Sequence, residues 1–334
     1  MLVAKLLLSR NRNRSRIRQT GRDHSIPQKD LCETLANMTR LQADFVLLFA
    51  AALWGVAFYF QKEAMAHVGP WTFIAGRSSL AVLALAPLAY LEHRNSGTRA
   101  LPPGLGQISA LCGFAFLAAA FLQQEGLKTA TVTNTGFLTS LYVVLTPIVA
   151  WLWSRVLPPR IVWPAIGLSF VGAWMLGGST IGGLGSGELL VMGSALFWAT
   201  HCVITGRASF YQRPLTYTVL QFAVVAAVAT GAALAFEGPT LAGLQAAAVP
   251  ILFVGLVSTA LTYTIFTIAI RHTTPPEAAV ILSAESLFAA AAGALMLGER
   301  LSPVGWTGAG LMIASVLLVQ LGPWLSRRAS RAGA

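Results

Sequence analysis

Uninterrupted apolar runs of about twenty residues recur along most of the chain, each stopped by charge, glycine or proline. A helix rising about 1.5 Å per residue crosses a bilayer's hydrocarbon core in a run of that length. The pattern predicts ten helical spans, at 43–62, 71–91, 104–124, 133–153, 161–178, 189–207, 215–236, 246–268, 277–297 and 304–322. A membrane barrel would alternate apolar and polar positions along each segment, and these runs do not alternate. One large soluble core would leave most of these helices apolar on every side. The expected fold class is therefore all-α and integral to a membrane.

The pattern also repeats at a displacement of 143 residues. "ALW" at 52–54 meets "ALF" at 195–197, and "WPAIGL" at 163–168 meets "WTGAGL" at 306–311. Thr131 meets Thr274, Ser140 meets Ser283 and Leu152 meets Leu295, while a shift of one residue pairs Arg77 with Gln221. Each unit holds five spans, so the second copy would enter the membrane upside down relative to the first. The expected organisation is a first repeat at 43–178, a linker at 179–188 and a second repeat at 189–322, with tails at 1–42 and 323–334. The linker "STIGGLGSGE" is rich in glycine but fits neither phosphate-binding glycine motif. Inverted repeats are the architecture of secondary transporters, whose substrate site lies near the membrane midplane.

Composition agrees, with 55% apolar and 10% charged residues where soluble domains carry about 25% charged. A net charge of +11 suggests nucleic acid until it is located. Residues 1–42 alone supply +6, which reads as a disordered basic tail beside an anionic leaflet. Met38, directly before the first span, is a natural start, which would leave residues 1–37 untranslated. The sequon Asn37-Met38-Thr39 falls in the same tail. Nineteen Lys/Arg fall on the side of the two termini and three (Lys62, Lys128 and Arg300) on the other, with Arg77 inside a span. The positive-inside rule then puts both termini in the cytoplasm and the chain in the cell (inner or plasma) membrane. Cys32, Cys112 and Cys202 have no metal or disulfide spacing. No cofactor or metal is expected; the expected partners are a small-molecule substrate and membrane lipids, not nucleic acid.

Three stretches carry a family resemblance: "ALWGVAFYFQKEAMAHVGPWTFIAGR" at 52–77, "NTGFLTSLYVVLTP" at 134–147, and "EAAVILSAESLFAAAAGALMLGERLSPVGWTGAGLMIA" at 277–314. Over about residues 40–322 the chain resembles the drug/metabolite transporter superfamily in its EamA-like branch. The resemblance implies ten spans in two five-helix repeats and export or exchange of small organic solutes. Two departures stand out. Where the family commonly has proline after the ninth-span glutamate and at the matching place in the first repeat, this chain has Ser286 and Val143. The family's usual cause of a helix break is therefore missing there. The first-repeat mate of Glu299 is Val156.

Glu285 stands about eight residues into the ninth span, roughly 12 Å deep, where a charge costs roughly 2.5–3.5 kcal/mol on insertion scales. It reads either as a cavity carboxylate that binds a cationic group or takes up a proton during transport, or as hydrogen-bonded glue between helices. Arg77, about 9 Å into the second span, either binds a substrate carboxylate, snorkels to the headgroups or caps a neighbouring helix; pairing with Glu285 is also open. Trp54, Phe58 and Gln61 share one helical face, and Phe197 and His201 form a similar face on the sixth span. Such faces either line a pocket or simply pack. Tyr142 is the repeat mate of Glu285; Asn134 and Ser140 share its helix, and Gln221 and Tyr263 are further polar candidates.

The expected function is a secondary transporter, exporting or exchanging amino acids, metabolites or drugs by alternating access. A non-transporting scaffold or receptor would call for long soluble domains, and no loop exceeds about a dozen residues. An intramembrane enzyme needs a nucleophile–base pair, a metal set or paired aspartates at membrane depth. No Asp follows Asp44 and H-E-x-x-H is absent, so the chain reads as no enzyme.

Overall fold

Helix forms at each of the ten predicted positions in the computed structural model, which describes residues 38–97, 100–155, 157–176 and 185–332. The tail at 1–37, Arg99, Val156, linker residues 179–184 and the side chains of Arg327, Arg328 and Arg331 lie outside the described residues. The first half comprises α1 (Arg40–Ala64), α2 (Pro70–Asn95), α3 (Leu105–Leu127), α4 (Val132–Thr139), α5 (Tyr142–Ser154) and α6 (Val162–Leu176). The second comprises α7 (Ser186–Ala208), α8 (Pro214–Phe236), a short α9 (Leu241–Ala246), α10 (Ala248–Leu252), α11 (Thr262–Ala269), α12 (Pro275–Leu282), α13 (Glu285–Leu297) and α14 (Pro303–Ala332). Between α10 and α11 the chain winds as a π-helix over Phe253–Leu261.

Among the described residues, eight helical stretches are long and apolar enough to cross a membrane, and Val162–Met175 and Pro303–Val319 are shorter apolar helices. The bundle is apolar outside as well as inside: Leu83, Leu234 and Leu295 stand exposed, as a hydrocarbon solvent allows. The last helix runs to Ala332, past the expected end at 322 and through Gly322 and Pro323.

The fourth and ninth spans are both broken, although each lacks the proline. Each becomes two helices, α4–α5 and α12–α13, joined at Ser140–Leu141 and Ser283–Ala284. At both joints the backbone tightens to i→i−3 bonds, Val143 to Ser140 (2.9 Å) and Ser286 to Ser283 (3.1 Å). At both, a serine hydroxyl donates back to the carbonyl three residues earlier, Ser140 to Phe137 (2.7 Å) and Ser283 to Val280 (2.6 Å). Serine competing for a backbone acceptor replaces proline as the local feature of the break. Thr131 and Thr274 likewise share a role, since each accepts the backbone N–H of the third helical residue after it.

The main helix pairings all join one half to the other: α2 with α8, α3 with α7, α6 with α14, and α1 with α13. The first pair clasps reciprocally. Glu237, just past the end of α8, accepts Trp71 and Thr72 backbone N–H groups (2.9 and 2.8 Å) at the start of α2. Glu92, near the end of α2, accepts those of Leu215 and Thr216 (3.2 and 2.7 Å) at the start of α8. Each carboxylate satisfies orphan N–H groups and the positive end of its partner's dipole, so the two helices run antiparallel.

Helices α1 and α13 approach most closely at Gly55, where an added Cβ would stand 2.5 Å from the Glu285 carbonyl oxygen. Backbone cannot yield as a side-chain tip can. Gly55→Ala is therefore expected to cost about 1–3 kcal/mol and to lower the thermal unfolding midpoint in detergent.

Candidate functional site

The break in the ninth span makes Glu285 the first residue of α13, a buried helix N-terminus at mid-bundle. The N–H groups of Ser286, Leu287 and Phe288 are bonded to the carbonyls of Ser283 and Ala284, so they are not free to hold the carboxylate. Around it lies a narrow cavity of about 50 Å³, room for a few water molecules. Trp54, Phe58 and Gln61 line it from α1, Arg77 from α2, Gln123 from α3, Thr139 from α4 and Tyr142 from α5. The second half supplies Trp198, His201 and Cys202 from α7, Ser258 from the π-helix, Tyr263 and Phe266 from α11, Leu282 from α12, and Glu285.

Eight of the twelve sequence candidates thus meet around one space: Trp54, Phe58, Gln61, Arg77, Tyr142, His201, Tyr263 and Glu285. Asn134, Ser140, Phe197 and Gln221 do not line it. Asn134 sits in the first turn of α4, where its backbone N–H donates to the Thr131 hydroxyl at 3.1 Å. Phe197 is half-buried, and its neighbour Trp198 takes the cavity position instead. The one-residue shift that matched Arg77 with Gln221 also matches Trp54 with Trp198, so the signal for Trp198 was present in the sequence.

Arg77 turns inward, with 3% of its surface exposed, rather than toward the headgroups. Its Nε donates to the Thr259 hydroxyl at 2.9 Å, and its guanidinium lies 5.4 Å from the Phe116 ring centre and 6.0 Å from that of Phe73. The two ion pairs among the described residues are Arg40–Glu277 and Lys128–Glu125, so Arg77 and Glu285 share the cavity without pairing. Glu285 is 4% exposed. The Tyr142 phenol faces the same cavity, and neither its hydroxyl nor Glu285 Oε1 has a hydrogen-bond partner.

Aromatic rings fill the space between. Tyr263 stands 4.8 Å from Trp54 and 5.4 Å from both Phe116 and His201, centre to centre. His201 is held by Gln221, Nε2 to Oε1 at 3.2 Å. The Trp54 indole donates to the Ser258 carbonyl at 3.0 Å, on the π-helical turn that also presents Thr259 to Arg77. Irregular helix thus exposes backbone oxygen where it lines a cavity rather than lipid.

Gln123 is the principal residue that the sequence reading passed over. Its Oε1 accepts Trp198 Nε1 (2.8 Å) and the Thr139 hydroxyl (3.3 Å), and its Nε2 donates to Gln61 (3.2 Å). Replacing it with leucine strands a half-buried indole donor, so Gln123→Leu is expected to cost about 1–3 kcal/mol, read as a lower unfolding midpoint in detergent. Among the described residues no three His, Cys, Asp or Glu side chains converge as metal ligands.

Comparison with known proteins shows the family. The profile of the EamA-like transporter family matches twice, over residues 41–178 and 185–321. The chain belongs to the EamA-like transporter family. This EamA-like chain is 31% identical over 287 residues to an uncharacterized transporter of Archaeoglobus fulgidus, covering 84% of this chain and 87% of that one. It is 26% identical over 298 residues to the uncharacterized transporter YwfM of Bacillus subtilis, covering 86% and 96%. A solved crystal structure superposes with a TM-score of 0.70 over 87% of this chain and 98% of the other at 17% identity, a likeness of fold alone. The protein is a multi-pass membrane transporter.

Proposed function

We propose that this EamA-like transporter is a secondary carrier that exports or exchanges small organic solutes by alternating access around the central cavity. The observation that carries the reading is a buried guanidinium and a buried carboxylate, unpaired with each other, on the walls of one aromatic-lined cavity. Each charge is costly to bury without a counter-ion, and a zwitterion of amino-acid size would supply both once alternating access widens the cavity. Its carboxylate would meet Arg77, its ammonium Glu285, and an apolar side chain the rings of Trp54, Tyr263 and Phe266. Metabolites or drugs with the same charges and an apolar body fit the same description. Glu285 is also the group placed to carry a proton.

Ten spans in two inverted repeats are the architecture this reading uses, with both termini cytoplasmic by the lysine and arginine distribution. Support comes from the double family match, the cross-half pairings and the reciprocal Glu92 and Glu237 caps. The test is counterflow of a labelled solute panel in proteoliposomes. Saturable counterflow that Glu285→Ala abolishes and Leu295→Ala preserves would support the carrier; Leu295 sits on α13 with 87% of its surface exposed. Counterflow of no solute under any gradient would refute it.

A further inference from the structure

Away from the cavity, α1 and the ninth span carry complementary charges at both ends. Arg40 and Lys62 are 22 residues apart on α1; Glu277 and Glu299 are also 22 apart, at either end of the ninth span. At one end of the bundle, Arg40 Nη2 pairs with Glu277 Oε1 at 2.7 Å, joining α1 to α12. Asp44 lies one turn further along α1, the i, i+4 spacing at which side chains meet. It is 1% exposed, and its Oδ1 has no hydrogen-bond partner. Arg40 Nε is buried and without a partner too. Arg40 and Glu277 both act electrostatically on Asp44.

We propose that Arg40 is a latch that switches between two carboxylates, held by Glu277 when this end is closed and by Asp44 when it opens. The closed position ties α1 to α12 across the halves. A partnerless donor and a partnerless acceptor one helical turn apart define the second position, which lies wholly on α1 and leaves α12 able to move. The latch lies outside the solute site of the proposed carrier, and its end of the bundle is the cytoplasmic one on the orientation given above. Glu277 also caps its own helix, accepting the Thr274 backbone N–H at 3.1 Å. Glutamine at that position keeps a capping acceptor while removing the charge that holds Arg40.

Cys202 reports on opening at this end because it lines the cavity as a free thiol. The experiment measures its labelling by a membrane-impermeant maleimide, applied to sealed vesicles from either side, with Cys202→Ser as the background. No solute is needed, so the latch can be judged even if the carrier reading fails, and a reversed orientation would only move the effect to the other side. Glu277→Gln should raise the labelling rate from the Arg40 side by about tenfold, the effect of losing one charge-assisted hydrogen bond. Asp44→Asn should lower it, because the open position loses its acceptor. In an Arg40→Gln background Asp44→Asn should change nothing. The opposite signs separate a latch from a merely structural cluster. Equal signs for the two amides, no effect of Glu277→Gln, or an Asp44→Asn effect that survives Arg40→Gln would each overturn the proposal.

Discussion

Glu285→Ala is expected to reduce the initial rate of solute counterflow by at least about thirtyfold, the lower end of what truncating a buried charge partner costs. The loss follows from the geometry, because the substrate's cationic end loses its counter-charge in a cavity walled by Trp54, Tyr263 and Phe266. Glu285→Gln separates the charge from the packing, because the amide keeps the shape. If both the rate and its pH dependence were unchanged in Glu285→Gln, Glu285 would be structural glue and the phenol of Tyr142 its neighbour only in space. A lost pH dependence with residual exchange would instead assign the proton to Glu285.

Arg77→Gln is expected to act on the other end of the solute. Carboxylate-bearing solutes should bind roughly tenfold to a hundredfold more weakly, as when a charge-assisted bond is lost, while amines lacking a carboxylate change little. Glutamine retains an amide donor that can still reach Thr259, which limits collateral damage to the π-helical turn. The check is competition by matched pairs, an amino acid against its decarboxylated amine, in the same proteoliposomes. Equal weakening of both members of each pair would mean that Arg77 holds the π-helix in place rather than the solute.

The span positions were legible because hydrocarbon is an unforgiving solvent and writes itself as long apolar runs. Most of the cavity was legible for the related reason that polar and aromatic residues at membrane depth need somewhere to face, as Arg77, Gln61, Tyr142 and Glu285 do. Two failures have specific causes. Phe197 was favoured over Trp198 because the 143-residue register pairs Trp54 with Phe197 where the one-residue shift pairs it with Trp198, and one residue turns a helical side chain by about 100°. Gln123 was overlooked because it falls at the expected end of the third span, while α3 continues to Leu127 and brings the amide under Trp198. The helix breaks escaped a reading tied to proline, since serine back-bonding marks the same two joints. Arg40 fell in the expected basic tail and Asp44 was given no role; only the fold shows that Asp44 is buried beside a cross-half ion pair.

The central claim is that Arg77 and Glu285 hold opposite ends of one solute. The most direct measurement is counterflow of three matched solutes, a zwitterion with an apolar side chain, its amine and its acid, through the unaltered protein, Arg77→Gln and Glu285→Gln. The account predicts that the zwitterion is preferred by the unaltered protein, that Arg77→Gln retains the amine while losing the acid, and that Glu285→Gln retains the acid while losing the amine. Indifference of both variants to which charge the solute carries would contradict it.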